Sequence, residues 1–156
     1  MLVALLVAVV AGPGLVTAAE PRLTESSLMI PVAALIPGTD NEDYHIFGEC
    51  VQSHTSGEFY VPLSFPAASV SIKRITVYLY DAGDSTACVW LNRSRPATQD
   101  VVTLGGVCST NSPDPHADFT TDISPRRVNP ALQGPYLYLT VPPGINMYGV
   151  RVNFSY

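Results

Sequence analysis

Lysine is all but missing: Lys73 stands alone, and eight basic residues face thirteen acidic ones for a net charge of −5. No basic face able to track a phosphate backbone can be assembled from that set, which argues against nucleic acid as a partner. Cysteine is scarce too, three in all with no Cys-x-x-Cys pair, which favours a structural staple over a dithiol redox centre. The chain contains no Gly-x-Ser-x-Gly, no His-Glu-x-x-His and no glycine-rich phosphate loop, so the common signatures of nucleophilic, zinc-protease and nucleotide chemistry are lacking. Beyond the N-terminal segment, apolar residues never recur at helical spacing.

What remains is a pattern of short strands. Fourteen prolines and eleven glycines punctuate brief apolar runs, as in chains that reverse direction often. Ser71 to Asp81 is the strongest segment: Ile75, Val77 and Leu79 alternate with Arg74, Thr76, Tyr78 and Tyr80, the pattern of a central strand with one buried face. On that reading Val77→Asp blocks folding and Thr76→Asp is mild. Phe59, Val61, Leu63 and Phe65 share a face, as do Val89 and Leu91, and Val150, Val152 and Phe154. The spacing predicts about eight to ten short strands in an all-β, antiparallel, two-sheet β-sandwich of jelly-roll type.

The first 19 residues read as a signal peptide: an unbroken apolar run from Leu2 to Ala11, the breaker Gly12-Pro13-Gly14, and small residues at Ala18 and Ala19 for cleavage. The run is about half the ~20 residues a membrane span needs, so no span is expected in the mature chain. Residues 20–27 are expected to be a flexible leader, and 28–156 a single sandwich domain that is secreted or held at the cell surface.

The succession Ile30-Pro31, Gly48-Glu49-Cys50, Phe59 to Leu63, Ile75 to Asp81 and Tyr148 to Val152 resembles a group of uncharacterised secreted bacterial β-sandwich proteins. The resemblance implies the fold and an export route. It carries no ligand or catalytic residues.

Three constellations could carry chemistry. Cys88 and Cys108 fall on neighbouring hairpin segments and are the first choice for a disulfide, with Cys50–Cys88 as the alternative. Asp114, His116 and Asp118 would lie on one side of an extended strand as a metal set, although Pro113 and Pro115 favour a solvated loop. No cofactor is expected, and His45, His54 and His116 show no partners in the sequence. The third constellation is aromatic: Tyr78, Tyr80, Trp90, Tyr136 and Tyr138, with Tyr60 and Tyr148 nearby in type, would pave one sheet face if their strands were neighbours. That face suggests first a non-enzymatic structural or interaction module that associates with itself. The alternative is a carbohydrate-binding module stacking sugars on the rings, and a hydrolase comes third.

Overall fold

The alternation through Ile75, Val77 and Leu79 becomes a strand paired on both sides in a computed structural model that describes residues 23–39, 43–81, 84–109 and 116–156. Eleven strands are formed among the described residues: β1 Glu25–Pro31, β2 Ile36–Pro37, β3 Tyr44–Phe47, β4 Cys50–Ser53, β5 Gly57–Pro62, β6 Val70–Asp81, β7 Cys88–Arg95, β8 Asp100–Cys108, β9 His116–Val128, β10 Gly134–Val141 and β11 Ile145–Ser155. They make two antiparallel sheets. The first runs β3-β4-β11-β6-β9, with β1 also on β11, and the second runs β2-β5-β10-β7-β8.

From β4 to β11 the chain changes sheet at every connection except the β7–β8 hairpin. This places sequence-distant strands side by side and yields the expected jelly roll. No helix among the described residues is long and apolar enough to cross a membrane.

The core lies between the sheets and is built from the alternation already visible in the sequence. Phe59, Ile72, Ile75, Val77, Leu79, Val89, Leu91, Leu137, Leu139, Val150 and Val152 are all buried. In β11 the inward set changes parity, from Ile145 and Met147 to Val150, Val152 and Phe154, because a bulge opposite β6 at Tyr148 inserts one residue.

Several expectations are corrected. Residues 25–27 are not loose: the free edge of β11 offers backbone partners, so Glu25 to Ser27 pair with Ser155 to Asn153 and extend β1. The segment from Asp114 to Asp118, read as favouring a solvated loop, is strand from His116 onward, because β9 continues along β6 and pairs His116, Ala117 and Asp118 with Tyr80, Leu79 and Tyr78. Pro125 lies inside β9 without breaking it. The strand is at the sheet edge, and residues 123–125 bulge opposite Lys73, where no ladder donor is required. The outer face of β6 is not uniformly open either: Thr76 is only 2% exposed, and its hydroxyl accepts a hydrogen bond from Thr120 at 3.1 Å. Thr76→Asp is therefore not mild.

Residues 1–19, read as a signal peptide, lie outside the described residues.

Candidate functional site: an aromatic row on the second sheet

Antiparallel pairing in the second sheet brings outward-facing residues of successive strands into transverse rungs. One rung reads Ile36, Tyr60, Tyr138, Trp90, Gly106 across β2, β5, β10, β7 and β8. Three aromatic side chains are thereby set on neighbouring strands, where directly opposed residues are close enough for ring contact. Trp90 and Tyr138 stack, with centroids 5.4 Å apart and planes 21° apart; Tyr60 and Tyr138 are 5.2 Å apart at 37°. Tyr136, on the next rung, tilts toward Tyr60 at 6.1 Å.

A glycine sits at each end of this row. A Cβ on Gly106 would lie 2.6 Å from Trp90 Cδ1 and 2.8 Å from the Val89 carbonyl, and one on Gly38 would lie 2.9 Å from Tyr60 Cε2. Trp90 thus occupies the space of a missing side chain in β8, and Tyr60 does the same just past β2. The second rung is Pro62, Tyr136, Asn92 and Thr103, in which the Thr103 hydroxyl donates to Asn92 Oδ1 at 2.7 Å. On the other side of the row the rung is Glu58, Thr140, Cys88 and Cys108, and there the two cysteines form a disulfide. Beyond it the hairpin is locked once more, Ser109 N–H donating to the Ala87 carbonyl at 2.8 Å and Ala87 N–H to Ser109 Oγ at 3.0 Å. The strand pair carrying Trp90 is covalently fixed two residues away.

Beside Tyr60 and Tyr136 the surface dips into a groove of about 330 Å³, lined by these two rings with Pro62, Ser94, Gly134 and Pro135. Its walls are mostly apolar. Tyr60 is 36% exposed, and Trp90, Tyr136 and Tyr138 are half-buried. Such a strip offers carbon-rich surface bordered by hydroxyls and amides, which suits a ligand that is apolar on one face and polar at its rim.

The predicted contact residues divide. Trp90, Tyr136 and Tyr138 come together as expected, joined by Tyr60, whose central place follows from the β5–β10 pairing and is invisible in the order of the chain. Tyr78 and Tyr80 do not join them: β6 belongs to the first sheet, so their side chains point from the opposite outer face, where the Arg151 guanidinium covers Tyr78 at 5.5 Å. Cys88–Cys108 is the disulfide; Cys50 is free on β4 in the other sheet, which rules out the Cys50–Cys88 alternative. Asp114 lies outside the described residues, as do the side chains of His116 and Asp118, so that metal set is without described geometry.

No protein-family model matches the chain, and no curated protein matches it. Solved structures similar to it include the C-terminal CBM6 of a marine laminarinase from Zobellia galactanivorans, with TM-score 0.48 and 14% identity over 81% of this chain and 98% of that one. A CBM6 from Clostridium stercorarium, solved in complex with cellobiose, gives 0.49 and 13% over 80% and 90%. The CBM36-1 domain of a multidomain xylanase from the hindgut metagenome of Trinervitermes trinervoides gives 0.47 and 12% over 81% and 96%.

The expectation of a structural, self-associating module is corrected. Its premise, one continuous face shared by Tyr78, Tyr80, Trp90, Tyr136 and Tyr138, fails because the sandwich places Tyr78 and Tyr80 on one sheet and Trp90, Tyr136 and Tyr138 on the other.

Proposed function

We infer that the chain is a non-catalytic carbohydrate-binding module whose sugar ligand packs on the Tyr60–Tyr138–Trp90 row and extends into the groove beside Tyr136. The observation that carries this reading is the row itself: three rings across three strands, with Tyr138 in contact with both Tyr60 and Trp90, given room by Gly38 and Gly106 and standing on a disulfide-stapled sheet. Pyranose rings present C–H faces that pack on aromatic surface, while their hydroxyls reach polar groups at the rim. A rigid antiparallel sheet holds the rings before the ligand arrives, which lowers the ordering cost of binding.

The module is exported, with residues 1–19 removed and the sandwich from Glu25 onward as its folded domain. The apolar N-terminal run and the disulfide, which suits an oxidising compartment, support this.

Trp90 is the only tryptophan, so its fluorescence reports directly on the row. Titration with laminarin, xylan and cello-oligosaccharides is expected to give a saturable change in emission with at least one of them. Tyr138→Ala should weaken that binding by about tenfold or more, the usual cost of removing a central aromatic anchor. Tyr78→Ala, on the opposite face, should leave it intact. Equal loss from both variants, or no saturable binding to any of the three, would refute the assignment.

A further inference from the structure

A second cluster lies away from the aromatic row, at the open end of the β3–β4 hairpin. The register pairs His45 with Gln52, which puts His45 in β3, Asp43 just before it and His54 just past β4 at the same end of the hairpin. Asp43, His45 and His54 each offer a ligand atom, and these atoms lie within 4.8 Å of one another. The imidazoles of His45 and His54 meet edge to face, centroids 4.9 Å apart. The backbone already ties the cluster together, since His54 N–H donates to the Asp43 carbonyl at 2.8 Å and Ser53 Oγ donates to the same oxygen at 3.3 Å. The remaining side chains of this face are Phe47, Cys50 and Gln52, and Phe47 packs against His45 at 5.6 Å.

We propose that Asp43, His45 and His54 form a surface site for a divalent transition-metal ion, zinc being the best fit. Two imidazole nitrogens and one carboxylate are a donor set for zinc, copper or nickel; calcium and magnesium take oxygen donors. Bonds of about 2.0–2.2 Å in a tetrahedral zinc site hold donors roughly 3.3–3.6 Å apart. The three side chains are exposed, so small rotations close the present spacing without disturbing the core. Three protein ligands leave the fourth position to water or to an outside group.

The ion would clasp a weakly held element. The hairpin joins the first sheet through only two β4–β11 pairs, Gln52 with Asn146 and Val51 with Met147, and the three ligands bridge the strands where the hairpin opens. This site is independent of sugar binding.

Calorimetric titration of the untagged chain with zinc chloride tests the proposal, with cobalt substitution for its visible absorption bands and calcium chloride for comparison. One zinc per chain is expected, with a rise in melting temperature that calcium does not reproduce. His45→Ala and His54→Ala should each weaken zinc binding by at least about tenfold, since even groups that only orient a ligand are worth 10–100-fold. Both residues are exposed, and an unchanged melting temperature without metal verifies that the variants fold. Cys50→Ser and His116→Gln should retain the affinity. Absence of one-to-one uptake, full affinity in both histidine-to-alanine variants, or loss of binding on Cys50→Ser or His116→Gln would overturn it.

Discussion

Gly106→Ala tests whether the aromatic row is seated as described. An alanine free of its surroundings would stabilise a strand position by about 0.5–1 kcal/mol, because glycine loses more chain entropy on folding. Here the added methyl meets Trp90 Cδ1 at 2.6 Å and the Val89 carbonyl oxygen at 2.8 Å. The ring can swing aside, but the carbonyl belongs to the β7–β8 ladder and is held close by the Cys88–Cys108 bridge. Overpacking of this kind costs about 1–3 kcal/mol. The balance is a net loss of about 1–2 kcal/mol, or about 4–8 °C in melting temperature for a domain of this size.

Two readouts separate the causes. Calorimetry gives the stability, and the emission maximum of Trp90 gives the position of the ring, which should shift to the red as it leaves Tyr138. In a Trp90→Ala background the ring contact is gone and only the carbonyl contact remains, so the two substitutions should be non-additive. A Gly106→Ala variant with unchanged or raised melting temperature and unchanged emission would refute the seating of Trp90 over β8, and with it the geometry of the proposed sugar site.

Other expected outcomes follow from particular contacts. Replacing Cys88 and Cys108 together by serine should lower unfolding free energy by about 3 kcal/mol, the loop-entropy value for a bridge spanning 20 residues; denaturant titration with and without reductant measures it. Thr76→Asp should destabilise by several kcal/mol, as Val77→Asp does, because both sites are about 2% exposed and neither can hydrate a carboxylate, whereas Thr76→Val should cost no more than about 1.5 kcal/mol. Acid should weaken the fold through two exposed ion pairs: hydrogen bonding and charge from Lys73 hold Glu25 below its ordinary 4.5, and those from Arg74 hold Asp122 below its ordinary 3.8. A carboxylate depressed in the folded state contributes above its unfolded value and loses that contribution as pH falls through the folded one. Urea midpoints should therefore fall in this acid range, less steeply in high salt and less steeply in Arg74→Gln; a slope indifferent to both would count against the pairs.

Much of the fold could be read from side-chain order alone. Alternation over β6, β5, β7 and β11 specified which side of each strand faces the core, since a strand has only two sides and burial selects one. The Cys88–Cys108 pair was legible for the same reason, two cysteines at matching distances along a short hairpin. Those features lie within one strand or one hairpin, where the chain's own geometry limits the choices. Strand neighbours are a different matter. Tyr60 and Tyr138 are 78 positions apart by number, and Tyr78 is closer in sequence to both Tyr60 and Trp90 than Tyr138 is to either, yet Tyr78 lies across the core. Only sheet topology decides that, because a jelly roll sends consecutive strands to opposite sheets and assembles each sheet from distant segments. The same limit hid the meeting of His45 with His54, which depends on hairpin register, and the role of Gly106, which depends on what rests above it. Local pattern determined which residues face in and which face out; tertiary pairing decided which outward residues share a surface, and it is that shared surface on which binding depends.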